Sequence, residues 1–217
     1  MLDSKSIRML QLLDKQVDKC NRCNLKSNGT VIPFWTPHSK YAIIGEAPGA
    51  VEVKQKTPFV GPSGQILTEE LTRVGFNAKD FLIVNSVQCR PMHGGYSNGK
   101  PSELQIRACQ GYIRKYLKVV NPEKILCLGN YAKYIFTGNI YGVLKQRGNF
   151  FDGKIKNFND PNKIDINFPV LITVHPAYCI YNREEGIEKL RNDIMLFKNT
   201  EFERKVNWFL TEDDFKI

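Results

Sequence analysis

No apolar run in the sequence approaches the roughly 18 residues a membrane-spanning helix needs, so no such span is expected. The N-terminus, "MLDSKSIRMLQLLDKQ", is amphipathic and charged, with no leader core or small-residue cleavage site. The chain is therefore expected to be cytoplasmic, or to sit wherever its partner is. Without a secretory leader, six cysteines do not read as a disulfide framework. The phosphate-loop signature GxxxxGK[ST] and the dinucleotide fingerprint GxGxxG are both missing, so a cradle for a nucleoside triphosphate is not expected. Internal repeats and low-complexity segments are absent too. Histidine is scarce, with three in 217 residues. His38 and His93 fall in loop-like stretches with no specific role expected, which leaves His175.

What is present suits one domain with a real core, since 42% of the residues are hydrophobic. We divide it into an N-terminal helix and cysteine segment (1–40), a core (41–200) and a C-terminal tail (201–217). Thirty-one basic residues against 22 acidic ones leave a net charge of +9. Such an excess points to a polyanionic partner, most simply nucleic acid; the plainer reading is solubility alone.

Three apolar runs end in polar, glycine or proline clusters: "YAII" before "GEAPG", "FLIV" before "NSVQCRP", and "PVLI" before "TVHPAY". With "KILCLG" (124–129), the runs at 41–44, 81–87 and 169–174 read as strands buried on both faces. Helical patterns alternate with them. The first is an N-terminal helix with Ile7, Leu10, Leu12, Leu13 and Val17 at roughly helical spacing. The second is a helix capped by Ser63 and stopped by Gly75. The third, from 103 onward, is capped by Ser102. A short helix follows over 130–136, and a last one over 184–199. Residues 50–62 read as irregular, "MHGGYSNGK" as a flexible loop, and 138–167 as a hairpin or loop insertion. Alternating strands and helices predict an α/β fold, a three-layer sandwich around a central four-stranded parallel sheet. In such sheets ligands bind outside the carboxyl ends of the strands, where all three polar clusters lie. The pocket inventory of a glutamate, an asparagine, a histidine and a phenylalanine offers edge readout, leaving-group stabilisation and stacking for a flipped nucleobase.

Cys20 and Cys23 form a CxxC pair, and Cys89 and Cys109 flank one middle segment. By spacing, these four could hold zinc or an iron–sulfur cluster; unrelated thiols are the alternative. Cys127, in an apolar run, reads as a core thiol, and Cys179 has no obvious place.

"GEAPGAVEVKQKTPFVGPSGQIL" resembles the signature of the family-four, iron–sulfur uracil-DNA glycosylases. "NSVQCRP" and "TVHPAY" resemble that family's second and third motifs. "CNRCNL" and "ELQIRACQGYI" resemble its cluster segments. The resemblance implies a uracil-DNA glycosylase-like fold and hydrolysis of the uracil–sugar bond in single- or double-stranded DNA; a monomer is expected. It implies Glu46, His175 and Ala47 as catalytic positions: His175 donating to uracil O2, Glu46 and the Ala47 backbone placing water. Phe59, Asn85, Glu52 and Gly45 are implied around the base, with Phe59 stacking and Asn85 reading its edge. Arg90, Tyr178, Ile180, Tyr181 and Arg183 are implied against DNA. Cys20, Cys23, Cys89 and Cys109 are implied as ligands of a [4Fe-4S] cluster.

The sequence departs from the family pattern in places. Lys56 stands where the family has glycine, "MHGGYSNGK" replaces the usual continuation after "CRP", and Cys179, Ile180 and Tyr181 replace wedge leucines. Ala47 occupies the spot where other glycosylase families carry a water-activating aspartate. These departures keep two alternatives open: an inactive accessory protein on the same fold, and a glycosylase for another base such as 5-hydroxymethyluracil or hypoxanthine.

Overall fold

The computed structural model describes residues 1–155 and 166–202. The elements run α1 (Ser4–Asp18), β1 (Tyr41–Gly45), α2 (Ala50–Gln55), α3 (Pro62–Arg73), β2 (Phe81–Asn85), β3 (Met92–His93), β4 (Ser97–Asn98) and α4 (Glu103–Val120). They continue with β5 (Ile125–Leu128), α5 (Gly129–Thr137), α6 (Val143–Gln146), β6 (Phe150–Ile155), β7 (Ile166–Thr173), α7 (Tyr178–Tyr181) and α8 (Arg183–Asn199).

The main sheet has the order β2-β1-β5-β7-β6. Its first four strands are parallel, as the sequence predicts, with Gly45 in register with Asn85 and Ile44 with Cys127. The fifth, β6, was not predicted as a sheet member; it pairs antiparallel with β7 at the edge. Its sequence "FFDGKI" lacks a continuous apolar run because an edge strand leaves Asp152 and Lys154 in solvent. Gly153 and Ile155 are the buried positions on that strand, and a Cβ at 153 would lie 2.4 Å from a Val170 methyl and 2.8 Å from the Phe136 ring. The segment 156–165 and the tail from 203 onward fall outside the described residues.

Helices cover both faces. On one, Leu10, Leu13 and Val17 of α1 and Ile106, Ile113 and Tyr116 of α4 are fully or almost fully buried against the sheet. On the other, Leu67 and Leu71 of α3 pack with Leu190, Ile194 and Phe197 of α8. Each such side chain contributes about 1.5–3 kcal/mol by leaving water. Leu12, expected on the buried face of α1, is instead 52% exposed, because it lies off the stripe that Leu10, Leu13 and Val17 form.

Local chemistry sets the helix starts. Asp3 accepts from the Ser6 N–H at 2.7 Å and opens α1. Ser102 and Gln105 form the reciprocal capping box of α4. α3 differs from expectation: its cap is Gly61, and Ser63 lies inside the helix. Pro62, which has no N–H, fits the first helical position, while the Gly61 N–H is taken by Glu52. Two stretches expected to be irregular are ordered. Residues 50–55 form α2, and "MHGGYSNGK" forms the β3–β4 hairpin, turned by Gly94 and Gly95 at positive φ. Among the described residues no helix is long and apolar enough to cross a membrane.

Candidate active site

Parallel strands deliver their carboxyl ends to one side of the sheet, and there the structure has a pocket of about 620 Å³. Glu46, Ala47, Glu52, Phe59, Asn85 and His175 all line it, so the three polar clusters of the sequence do converge.

Asn85 ends β2 and is 2% exposed. Its neighbour across the register is Gly45, and a Cβ there would lie 2.4 Å from both Asn85 Oδ1 and Phe59 Cζ. Glycine at 45 is thus what lets an amide and an aromatic ring close over one strand end. Phe59 has φ +55°, a left-handed conformation that costs a phenylalanine about 1–2 kcal/mol. It is held there by close packing, since a Cβ on Gly64 would sit 2.1 Å from the Phe59 carbonyl oxygen. A side chain at 64 would therefore expel Phe59 from its position. Below Asn85, Ser86 donates to the Gly45 carbonyl at 2.7 Å and Gln88 donates to the Asn85 carbonyl at 2.5 Å, fixing the strand end from beneath.

His175 follows β7. Burial drives its pKa down to about 4, so the ring is neutral at physiological pH. The Ala177 N–H donates to His175 Nδ1 at 3.2 Å. Nδ1 is therefore the acceptor nitrogen and the proton resides on Nε2, which makes the ring a hydrogen-bond donor at that atom. Gly129, at φ +84°, packs beneath it; a Cβ there would lie 2.9 Å from His175 Cβ.

The two carboxylates are used differently. Burial pushes Glu46 up to about 7, opposed by the Lys100 charge. Glu52 instead takes two backbone donors, from Gly49 at 3.1 Å and Gly61 at 2.6 Å. It ties the "GEAPG" turn to the segment carrying Phe59. Ala47 presents only a methyl group and its backbone to the pocket.

At the rim, Ile180 is 47% exposed and Tyr181 86% exposed, and both line the pocket. Tyr178 packs on the second core cluster, and Arg183 is exposed outside the pocket lining. Arg90 is committed to the hairpin: its Nε donates to Asn98 Oδ1 at 2.7 Å and its Nη2 to the Tyr96 carbonyl at 3.4 Å. Asn98, Gly99 and Lys100 line the pocket beside Glu46. Asn98 and Gly99 were not singled out from sequence. The Gly-Gly pair between two short polar runs was the available hairpin signal.

Cys20, Cys23, Cys89 and Cys109 line one enclosure between the end of α1, the segment after β2, and α4, with Val17 and Tyr112 closing it. All four thiols are free. Hydrogen-bonding groups reach these sulfurs, among them the Arg22 N–H to Cys20 at 3.5 Å, the Gln88 N–H to Cys109 at 3.4 Å, and Thr30 Oγ1 against Cys89 at 3.2 Å. Among the described residues no three Cys, His, Asp or Glu side chains converge on a point as one metal ion requires. Four thiols around one enclosure are a donor set that zinc or an iron–sulfur cluster would use. Cys127 and Cys179 are buried elsewhere, at 0% and 1% exposure, and take no part.

Comparison with known proteins agrees with this geometry. The family model of the uracil DNA glycosylase superfamily matches residues 32–208. The chain is 30% identical over 188 residues to the type-4 uracil-DNA glycosylase of Thermotoga maritima, covering 84% of this chain and 88% of that one. It is 33% identical over 195 residues to the Sulfurisphaera tokodaii protein of the same name, covering 84% and 83%. With the Saccharolobus solfataricus protein of that name it shares 34% over 180 residues, covering 80% and 78%. A buried amide, a strained aromatic and a neutral donor histidine at the strand ends, together with a family match over most of the chain, place it in the uracil DNA glycosylase superfamily.

Proposed function

We propose that the chain hydrolyses the bond between uracil and deoxyribose in DNA, leaving an abasic site. The observation that carries this reading is the juxtaposition of Asn85, Phe59 and a neutral His175, protonated on Nε2, in one pocket. The names of the relatives support it.

The bond breaks with positive charge on the sugar and negative charge on the leaving base. Phe59 stacks on the flipped uracil. The Asn85 amide pairs with O4 and N3–H, and cytosine presents the reverse donor–acceptor pattern at that edge. Mispaired polar groups in a buried site cost several-fold to many-fold in rate, which is how such a site rejects the wrong base. His175 donates from Nε2 to O2 as charge gathers there, in the manner of an oxyanion hole. Glu46, ionised, favours the cationic sugar and holds the water with the Ala47 backbone. Glu52 positions both loops. Ile180 and Tyr181 contact DNA beside the vacated stack.

The four cysteines hold a [4Fe-4S] cluster in this reading. When bound, the cluster supplies a cross-link between the N-terminal segment, the residues after β2, and α4. The test is release of free uracil from single-stranded and U:G duplex oligonucleotides, with 5-hydroxymethyluracil and hypoxanthine substrates alongside. Iron analysis of anaerobically purified protein accompanies it. Uracil released preferentially supports the proposal; no release from any substrate by iron-loaded protein sinks it. One equivalent of zinc without iron would remove the cluster assignment alone.

A further inference from the structure

The β3–β4 hairpin has no part in the chemistry just described, yet its base lies in the pocket wall. Asn98, Gly99 and Lys100 line the cavity. Two residues before Asn98, Tyr96 stands at the turn with 92% of its surface exposed. An aromatic ring left in water at the tip of a turn gains nothing for the fold.

The turn itself is tightly built. The Arg90 guanidinium bonds both the Asn98 side chain at 2.7 Å and the Tyr96 carbonyl at 3.4 Å. The Tyr96 N–H donates to the His93 carbonyl at 3.3 Å, and the Gly99 N–H to the Pro91 carbonyl at 2.9 Å. Gly99 is required for this closure, since a Cβ there would meet the Met92 backbone at 2.8 Å. Asn98 also packs against the "GEAPG" turn, its Nδ2 lying 3.2 Å from where a Cβ on Gly49 would be. An arginine, a glycine and an asparagine thus hold the turn that carries this exposed tyrosine, two residues from the cavity wall.

A second exposed apolar group, Ile180 with Tyr181, lines the same pocket from α7. Ile180 and Tyr181 line the cavity themselves, and Tyr96 stands on the turn two residues from Asn98 of its wall. Lys100 in the wall and the chain's net charge of +9 supply attraction for a phosphate backbone.

We infer that Tyr96 is a stacking platform for an unpaired nucleobase flanking the one bound in the pocket, making the β3–β4 hairpin a single-strand-binding element of this enzyme. Aromatic stacking tolerates any base, because every base presents a π-face, and loss of one such contact typically weakens binding on the order of tenfold. A duplex keeps neighbouring bases stacked on each other, so the contact is worth more on single strands. The inference rests on the glycosylase reading for the identity of the ligand, but binding can be measured without catalysis.

The test compares wild type with Tyr96→Ala and Tyr96→Phe, using a single-stranded oligonucleotide that carries an uncleavable abasic analogue flanked by 2-aminopurine, and its duplex counterpart. Tyr96→Ala is expected to raise the Kd for the single strand about tenfold and to abolish the quenching of 2-aminopurine. The duplex Kd should change far less, and Tyr96→Phe should behave as wild type. Excision rate at saturating substrate should be unchanged in both variants, and so should the melting temperature, since the ring is exposed. Equal single-strand affinity for wild type and Tyr96→Ala overturns the inference. So does an equal loss on single strand and duplex, which would mean general docking. Absence of uracil release by wild type would overturn the glycosylase reading while leaving the binding comparison to stand on its own.

Discussion

Replacing Glu46 by glutamine should make the protein more stable above neutrality while costing it activity. In the unfolded chain this carboxyl titrates near 4.5, and burial in the pocket wall carries it up to about 7 in the fold, with Lys100 acting in the other direction. Each tenfold change in a protonation equilibrium is about 1.4 kcal/mol, so holding the ionised form in the pocket costs the fold about 3 kcal/mol. The sign follows from which state binds the proton more tightly. Below about pH 4.5 both states carry it and there is no penalty. Between there and about pH 7 the unfolded chain releases its proton first, and stability falls as pH rises. Above about pH 7 the penalty is fully expressed. Glutamine keeps the shape and never ionises. Thermal melts of Glu46→Gln and wild type should therefore coincide near pH 4.5 and separate by roughly 6–12 °C near pH 8 for a chain of this length, the variant being the more stable. Uracil release should fall in the same variant. Lys100→Gln, which removes the opposing charge, should move the window upward. A stability gap that is the same at both pH values would refute the reasoning, because it would owe nothing to ionisation.

Other substitutions follow from single contacts. His175→Ala should slow single-turnover excision on the order of 10²–10³-fold while abasic-DNA affinity is kept. In a Glu46→Gln background the rate should show no loss between about pH 8 and pH 5, because His175 takes up its proton only near about 4. Gly45→Ala would put a Cβ 2.4 Å from both Asn85 Oδ1 and Phe59 Cζ; excision should be lost, read beside an abasic-DNA binding assay that should change little. Lys56→Gly should stabilise the fold by about 1 kcal/mol in denaturant melts, because Lys56 sits at φ +55°, where a side chain is strained and glycine is not. Glu52→Gln should do the reverse of Glu46→Gln. It replaces a carboxylate that accepts from Gly49 and Gly61 with an amide that can accept at one oxygen only, a loss of about 2 kcal/mol.

The parts of the fold legible in the sequence were those where one physical demand dominates. A strand buried on both faces must be apolar throughout, so "YAII", "FLIV", "KILCL" and "PVLI" announced β1, β2, β5 and β7. The edge strand β6 is covered on one side only, and its Asp152 and Lys154 hid it. The hairpin and α2 are stabilised by specific partners, Arg90 in one case and the Glu52 carboxylate accepting from the Gly49 N–H in the other. Such pairings carry no period, and both segments read as irregular.

The site divides along the same line. Asn85, Phe59 and His175 stand next to strand ends or turn residues, and local sequence is enough to place them near the pocket. Their working states are set by tertiary neighbours. His175 is neutral because it is buried, and the Ala177 N–H fixes its tautomer. Phe59 keeps a strained backbone because glycine at 64 leaves room for it and Glu52 grips the turn beside it. Burial shifts Glu46 against the pull of Lys100, while Glu52, six positions on, is occupied by the Gly49 and Gly61 N–H groups. Two destabilising features, a left-handed phenylalanine and a carboxylate held out of its usual range, thus lie together in one pocket at the strand ends. Strain of that kind persists only where surrounding structure over-determines it. The glycines at 45 and 64 and the twice-bonded Glu52 supply that constraint, and they are as much a part of the site as the side chains that would touch the base.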